Sequence, residues 1–212
     1  MAEHENDRDE SRRRTHEREA ERHLLAWLIL AFRRPTLASL REIFSVDPGF
    51  LLREAGYADG GVPDRLPPPE AAEMVLDELA SEYVRLFVNA PATPVAHLAA
   101  TAYLVNDGPE AQVDYLTALQ LELAKAGLGL APESTEPPDH LTLLLERLYL
   151  CDNDGADSRI RSAFARSFLA GWLPPFLARL AAADPLPLYR IAGAVLATMF
   201  QVTIPAAEEG HE

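Results

Sequence analysis

The stretch Glu136-Pro137-Pro138-Asp139-His140-Leu141 separates two helical patterns and decides how the chain is organised. Its paired prolines favour extended backbone, so we predict a stiff strut or hinge over about residues 127–139. Asp139 comes directly before an apolar run, a position that is typical of an N-cap aspartate. The leucines of that run recur at helical spacing, at positions 141, 144, 145 and 148. The stretch therefore predicts a connection between two helical subdomains.

The rest of the chain shows one helical pattern after another. Pro35 ends the first pattern, Gly127 stands where a helix C-cap glycine belongs, and Pro174-Pro175 interrupt a later one. The apolar positions of these patterns are Leu24, Trp27, Leu28 and Ala31; Val75, Leu76, Leu79, Tyr83, Leu86 and Phe87; Leu116, Leu119, Leu123 and Ala126; Ile160, Phe164 and Phe168; and Leu188, Ile191, Val195 and Met199. Since alternating strand patterns are nearly absent, we predict an all-α fold, a helical bundle of about eight to nine helices.

The composition limits the classes of function. The chain has 212 residues, of which 48% are hydrophobic, so it can bury a real core. It carries 19 basic and 33 acidic residues, for a net charge of −14. This excess argues against nucleic-acid binding, because neutralising phosphates requires a basic surface. It favours a basic partner, such as a peptide that carries arginines, although solubility alone is an equally simple explanation.

Residues 1–18 are predicted to be a charged, disordered tail that runs into a helix, and residues 206–212 an acidic tail. Ser11-Arg12-Arg13-Arg14 superficially resembles a twin-arginine export motif, and the nine residues from Leu24 to Phe32 are apolar. However, glutamates fill the spacer, and Arg33-Arg34-Pro35 stands where a small-residue cleavage site would lie. The apolar run is also too short to span a bilayer. We therefore expect a cytoplasmic protein without a signal peptide.

The residue pattern argues against catalysis and metal binding. Asp139 and His140 are adjacent, but side chains at successive positions of a helix start point in different directions, so such a pair rarely orients an imidazole as a base. The sequence has no Gly-x-Ser-x-Gly, glycine-rich phosphate loop or His-Glu-x-x-His motif, and its six histidines are scattered. Cys151, the one cysteine, lies among apolar residues and is predicted to be a small buried hydrophobe. We expect a non-catalytic protein with no cofactor and no metal.

Two short signatures extend this interpretation. Tyr83-Val84-Arg85-Leu86-Phe87 presents an aromatic residue followed by Leu-Phe, and Glu136-Pro137-Pro138-Asp139-His140 presents Glu-Pro-x-Asp-His before an apolar helix. This pairing resembles the TorD/DmsD/NarJ family, the chaperones that help molybdenum enzymes to mature. Thr101-Ala102-Tyr103 is similar to the family's Ser-x-Tyr, and Gly127-Leu128 to its Gly-Leu. Phe168-Leu169-Ala170-Gly171-Trp172 keeps the family's tryptophan but has phenylalanine in place of its histidine.

The resemblance implies an all-helical chaperone domain over residues 19–205, which binds the catalytic subunit of a molybdenum enzyme before that subunit is fully folded. Some relatives hold the subunit's twin-arginine signal peptide and delay export, and others hold the apoenzyme while cofactor is inserted. The implied client-binding residues are Tyr83, Leu86, Phe87, Tyr103, Glu136, Pro138, Asp139 and His140. The apolar members would accept the apolar part of a signal peptide, and Glu136 and Asp139 would pair with its arginines.

Plainer interpretations of the same residues stay open. Taken singly, Asp139 is predicted to be a helix cap and His140 a solvent-facing residue of the first helical turn. The residues of the aromatic signature are predicted to pack in the core. A helical adaptor or regulator without a molybdoenzyme client is the alternative function. The sequence also leaves open whether the protein is a monomer or a domain-swapped dimer, and whether it binds a nucleotide or the molybdenum cofactor. We expect no nucleic-acid partner and no stable membrane insertion.

Overall fold

Nine α-helices make up most of the described chain, which in this computed structural model comprises residues 2–57, 62, 65–88, 94–104, 108–128, 136–153 and 158–203. The helices are α1 (Ala2–Ala31), α2 (Leu37–Phe44), α3 (Pro48–Glu54), α4 (Ala72–Tyr83), α5 (Gly108–Lys125), α6 (Leu141–Asn153), α7 (Ser158–Phe168), α8 (Leu173–Ala182) and α9 (Pro187–Met199). No strand occurs in these ranges, where one isolated antiparallel bridge joins Ala99 to His140. The predicted all-α fold is confirmed.

Helix α1 is the element against which much of the protein packs. Its C-terminal half buries an apolar stripe that includes Leu24, Leu25 and Leu28, and α2, α3, α6 and α9 all lie against the helix. Phe32 follows directly after α1 and is fully buried. The apolar spacing read from the sequence therefore corresponds to the core-facing side of this helix.

The N-terminal half of α1 is helical from its second residue, whereas the sequence predicts a disordered tail over residues 1–18. Oppositely charged side chains one turn apart support this part of the helix, as in the contact of Arg14 Nη2 with Glu10 Oε1 at 2.6 Å. His16 also pairs with Glu54 of α3. Local ion pairs and a tertiary contact thus order a segment that composition alone marks as solvated.

Glu21 of α1 forms hydrogen bonds with two other parts of the fold. Its Oε1 accepts a hydrogen bond from the Tyr57 hydroxyl at 2.5 Å, and its Oε2 accepts one from Arg161 Nη1. Tyr57 follows α3, and Arg161 lies on α7. Because the Glu21 and Arg161 side chains are both mostly buried, this pair holds α1 against α7 more firmly than an exposed ion pair would.

Two short helices, α2 and α3, were not among the elements that apolar periodicity predicts. Their starts are fixed by capping side chains instead. Thr36 and Ser39 form a reciprocal capping box at α2, and Asp47 Oδ1 accepts the Phe50 N–H at 3.0 Å ahead of Pro48 at the first position of α3. Helices of eight and seven residues carry too few apolar positions for a clear period.

Aromatic rings form the centre of the core. Phe87 contacts Tyr189 at 5.3 Å between ring centroids and Phe32 at 6.0 Å, and Phe32 contacts Phe176 at 5.8 Å. All three pairs are edge-to-face, the arrangement that the ring quadrupoles favour. The cluster joins the end of α1 to α8, to α9 and to a π-helical turn, Val84–Val88, that extends α4.

Further expectations concern the apolar face of α7, Cys151, the hinge, the C-terminal tail and membrane insertion. Phe164 and Phe168 are buried as predicted, but Ile160 is 49% exposed and is not a core residue. Cys151 is buried, as expected of a small hydrophobe. Residues 129–135 of the predicted hinge and the acidic tail 206–212 lie outside the described residues. Within the described ranges, no helix combines the length and apolar character needed to cross a bilayer.

Gly127 is confirmed as the residue that ends α5. Its φ is +67°, and its N–H donates to Ala124 O at 3.0 Å while the Leu128 N–H donates to Leu123 O at 2.9 Å. These are the two hydrogen bonds of a Schellman motif, in which a left-handed residue follows the helix. A glycine fits this position because the left-handed conformation costs a residue with a Cβ about 1 kcal/mol or more.

We predict that Gly127→Ala lowers the free energy of unfolding by about 1 kcal/mol, because alanine resists the left-handed conformation. A Cβ at Gly127 would meet no heavy atom of the described residues within 4 Å, so the cost is one of backbone conformation and not of space. Gly171→Ala is the matched control, since Gly171 has equal room and no positive φ. Urea unfolding of both variants measures the difference, and equal losses would contradict the assignment.

Candidate functional site

The first signature lies at the end of α4 and faces the core. Tyr83, Leu86 and Phe87 are all buried, and the Tyr83 and Phe87 ring centroids are 5.3 Å apart. The turn from Val84 to Val88 is π-helical, a geometry that is frequent at functional sites. In this structure the three apolar residues pack in the interior and do not line an open surface, so their contact with a client stays a prediction.

The second signature connects two distant segments through the backbone. Ala100 N–H donates to Asp139 O at 3.2 Å, and Leu141 N–H donates to Leu98 O at 2.8 Å. The Asp139 side chain is 1% exposed, and its Oδ2 accepts the Thr101 N–H at 2.7 Å. Asp139 therefore holds the 98–101 segment against the start of α6, and in this conformation it is not accessible to an arginine of a partner.

His140, and not Asp139, occupies the N-cap position of α6. Its carbonyl accepts the Leu144 N–H at 3.2 Å, which is the first intrahelical hydrogen bond. Its Nδ1 lies 2.8 Å from Thr142 Oγ1 and 3.4 Å from Thr142 N. The predictions of Asp139 as the cap and of His140 as a solvent-facing residue are both corrected, because the tight pairing with residues 98–100 draws this segment into the interior.

Burial keeps His140 neutral. Loss of solvent lowers the pKa of the imidazole below its ordinary value of 6.5, although the nearby Glu136 and Asp139 carboxyl groups act in the opposite direction. Nε2 lies 2.9 Å from Glu136 Oε2, so the tautomer that satisfies both sides donates from Nε2 to Glu136 and accepts at Nδ1 from Thr142. His140 thus links the exposed strut to the buried helix start.

The structure brings the two signatures into one neighbourhood. Burial raises the pKa of the Tyr83 hydroxyl to about 12, and the Glu136 carboxylate adds to the increase. Arg34, which is exposed, acts on Tyr83 in the opposite sense, and Arg33 pairs with Glu146 of α6 beside it. The rim of this site therefore carries two arginines next to the one accessible carboxylate of the signature, that of Glu136.

Tyr103 belongs to a second aromatic group. Its ring stacks on Trp172 with centroids 5.8 Å apart and meets Phe176 edge-on at 6.3 Å. The Arg179 guanidinium carbon lies 5.0 Å from the same ring centroid. Burial raises the pKa of the Tyr103 hydroxyl to about 12. The structure thus brings together the motifs that contain Tyr103 and Trp172. Pro138, which is half-buried, and Glu136, which is exposed, lie on the strut.

Glu82 forms a polar link that sequence reasoning missed. Its Oε2 accepts from Arg85 Nε at 2.6 Å, and its Oε1 accepts from Arg85 Nη2 at 2.8 Å and from the Leu186 N–H at 3.1 Å. Arg85 Nη2 also donates to Ala183 O at 3.1 Å. The network joins the π turn to the connection between α8 and α9. The three-residue spacing of Glu82 and Arg85 on a predicted helix was the available signal.

In the described residues, the polar side chains of the two signatures are engaged within the fold. Among them, no group of three or more His, Cys, Asp or Glu side chains is arranged to hold a metal ion. The polar groups at the two signatures are engaged with the backbone or with one another, as Asp139 is with Thr101 and Glu82 with Arg85. What this arrangement can do is fix the junction of the two signatures, where Ala96 N–H donates to Leu86 O at 2.9 Å and residues 98–101 pair with the start of α6.

Comparison with known proteins relates the chain to a family. Residues 54–179, more than half of the chain, match a family model described as nitrate reductase delta subunit. The matched range contains both signatures, α4, α5 and α6. No curated protein matches the chain.

We predict that Asp139→Ala lowers the free energy of unfolding by about 1–3 kcal/mol, because the half-buried Thr101 N–H loses its acceptor. Asp139→Asn keeps an acceptor oxygen and should recover much of the loss. Hydrogen exchange at Thr101 reports on the same contact, and it should speed up in the alanine variant relative to the asparagine variant. Unchanged exchange at Thr101 in Asp139→Ala would show that this hydrogen bond does not hold the segment.

A second prediction concerns pH. The hydrogen bonds from Arg85, and then that from the Leu186 N–H, lower the pKa of Glu82 below its ordinary value of 4.5. A carboxylate whose pKa is lower in the folded state stabilises the fold fully above the unfolded value, and this contribution is lost as pH falls through the folded value. Glu82→Gln should therefore cost about 1.5 kcal/mol or more at pH 7 and progressively less below pH 4.5.

Urea unfolding from pH 7 to pH 3 measures this difference. Glu78→Gln is the matched control, because Glu78 lies one turn earlier on α4 and is exposed. A constant difference between wild type and Glu82→Gln across the range would contradict the assignment.

Proposed function

The chain belongs to the nitrate reductase delta subunit family, and on this premise we propose that it binds the catalytic subunit of a molybdenum enzyme while that subunit matures. The family is one of molybdoenzyme maturation chaperones, so the resemblance read from the sequence is confirmed at the level of the family. We propose a binding role without a catalytic step, in which the chain holds the subunit before it is folded and aids cofactor insertion.

The observation that carries the proposal is the family match over residues 54–179, which contains both signatures. The proximity of Tyr83 to Glu136 supports it, because two signatures about fifty residues apart form one neighbourhood. A fixed junction of this kind gives a chaperone a defined shape on which to present its accessible side chains. The buried residues set that shape, and the exposed ones are available to the client.

We assign the client contacts at the junction to the members that solvent reaches. Glu136 has a half-exposed carboxylate, and Pro138 and Tyr103 are half-buried. In this assignment Tyr83, Leu86 and Phe87 support the site from within, and Asp139 and His140 hold the strut in place. We further propose that the chain recognises a twin-arginine signal peptide and delays export of the client, as some relatives do. We also propose that it acts in the cytoplasm, as a monomer or a domain-swapped dimer.

The experiment is affinity capture of the tagged full-length chain from its native host, followed by mass spectrometry. We expect a molybdopterin-dependent oxidoreductase subunit to co-purify, and a strain without the chain to accumulate that subunit with little molybdenum. Glu136→Ala should reduce capture, while Glu110→Ala, an exposed glutamate of α5, should not. Urea unfolding of both variants separates lost binding from lost folding.

Two outcomes would contradict the proposal. Capture that recovers other proteins but never a molybdopterin enzyme would favour the helical adaptor. Normal molybdenum content of every such enzyme in the deletion strain would remove the maturation role.

A further inference from the structure

Helix α5 is long, but little of it is buried. The structure describes all 18 residues of Gly108–Lys125, and among them only Leu119 and Leu123 are buried. In α9, by comparison, Tyr189, Ile191 and most of the other residues are buried. A helix opens locally at a lower free energy when it has less apolar surface to expose to water. We therefore expect α5 to leave the core more easily than α9.

Tyr115 connects α5 to the segment that carries the tryptophan motif. Its ring meets that of Phe168 edge-on, with centroids 5.7 Å apart, and its hydroxyl donates to Phe168 O at 2.9 Å. Trp172 Nε1 donates to the same carbonyl at 2.7 Å. Burial raises the pKa of the Tyr115 hydroxyl, and the Asp139 carboxylate adds to the increase. Tyr115 therefore lies where the tryptophan motif approaches the second signature.

Gln112 provides a second polar contact of α5 with the junction. Its Nε2 donates to Thr101 O at 3.3 Å. The N–H of the same residue, Thr101, donates to Asp139 Oδ2. Helix α5 thus contacts the 98–101 segment through Gln112 and the tryptophan motif through Tyr115, and it covers the place where these segments meet.

Both ends of α5 lie at glycines with positive φ. Gly108, the first residue of the helix, has a φ of +86°, and Gly127, which follows the helix, has a φ of +67°. A Cβ at either position would meet no heavy atom of the described residues within 4 Å, so backbone conformation and not space favours glycine here. Glycine adopts positive and negative φ at similar cost, and hinges absorb motion in a few dihedral changes of this kind. The helix therefore has a pivot at each end.

Aromatic side chains lie beneath α5. Phe168 is buried, and its ring centroid is 4.9 Å from that of Phe164. Trp172 is also buried and stacks on Tyr103. Because Tyr115 packs on Phe168 and shares a carbonyl with Trp172, departure of α5 would bring this aromatic group into contact with solvent.

We propose that α5 is a lid, which opens about Gly108 and Gly127 and admits an apolar helix of the client to Phe168 and Trp172. The opening is inferred from the contacts of α5 alone, whereas the identity of the entering helix rests on the proposed function. The closed lid shields the aromatic surface from water and from other proteins until the client arrives.

The inward side chains of α5 indicate which helix can replace it. Tyr115, Leu119 and Leu123 recur every four residues and share one side of the helix. A client helix with an aromatic residue followed by two leucines at this spacing would present the same apolar side to Phe168. A peptide with the sequence of residues 108–128 is therefore a suitable probe of the surface.

Hydrogen exchange of the full-length free chain, followed by mass spectrometry, tests the opening. After correction for intrinsic rates, we expect α5 amides to exchange about 100-fold faster than α9 amides, or more. Tyr115→Phe keeps the ring but removes the hydrogen bond to Phe168 O, so exchange throughout α5 should rise about fivefold. Tyr149→Phe on α6 is the matched control, because it removes a hydroxyl that accepts from Arg22 Nη2 and should leave exchange in α5 unchanged.

Fluorescence anisotropy with a labelled peptide of residues 108–128 tests the surface. The peptide competes with α5 for the same contacts, so its apparent affinity is reduced by the fraction of chains in which the lid is open. Tyr115→Phe in the full-length chain should therefore lower the Kd about fivefold, whereas Tyr149→Phe should not change it.

Variants of the peptide identify the side that binds. A peptide with Leu119→Ser and Leu123→Ser should not bind, because it lacks the two leucines that α5 buries. A peptide with Val113→Ser and Leu121→Ser is the matched control, since both of these side chains are exposed on α5. It should bind as the unchanged peptide does.

Two results would overturn the lid: α5 amides that exchange as slowly as those of α9, or equal α5 exchange in wild type and Tyr115→Phe. Equal binding of the two serine peptides, or no binding of the unchanged peptide to either chain, would overturn the surface beneath the lid. The proposed function is judged separately, by capture of the molybdoenzyme subunit. A chain that captures the subunit while α5 is as protected as α9 would keep the chaperone role and lose the lid. A chain that shows the opening but captures no such subunit would keep the lid and lose the chaperone role.

Discussion

Burial of the apolar half of α1 is the constraint on which the other helices depend. The apolar stripe that includes Leu24, Leu25 and Leu28 must be shielded from water over several turns of α1, and no single short helix is long enough to shield it. Four helices share this cover: α2 and α3, which follow α1 in the sequence, and α6 and α9, which are distant from it. Glu21 adds a polar contact from the same helix to α7. Once these elements are placed, α4 and α8 close the core around Phe32 and Phe87.

The sequence predicts those features that depend on near neighbours. Pro35 after the end of α1 and Gly127 at the end of α5 agree with the structure, because proline geometry and capping act within a turn. The role of Asp139 could not be predicted in the same way, since its partner Thr101 is 38 residues away. Periodicity has a further limit. It identifies Tyr83, Leu86 and Phe87 as one apolar face, but a face that packs in a core and a face that binds a partner have the same spacing.

The charged residues distinguish the two faces of α4. The inner face contains Glu82, whose carboxylate is held by Arg85 and a backbone N–H, and the outer face contains carboxylates that point to solvent. Glu82 would contribute little to the binding of another protein, because that protein would first have to displace Arg85 from the carboxylate.

The π turn at Val84–Val88 has a consequence for the phase of the helix. Such a turn contains one residue more than the α-helical turn it replaces. The wider turn absorbs this extra residue, so a deletion there would leave a regular helix whose later side chains keep their direction. A deletion in the regular part of α4 would instead rotate Phe87 and Val88 by about 100°, and the buried ring and the exposed valine would lose their present positions. The π turn is thus the part of this helix in which a change of length by one residue leaves the division between core and surface unaltered.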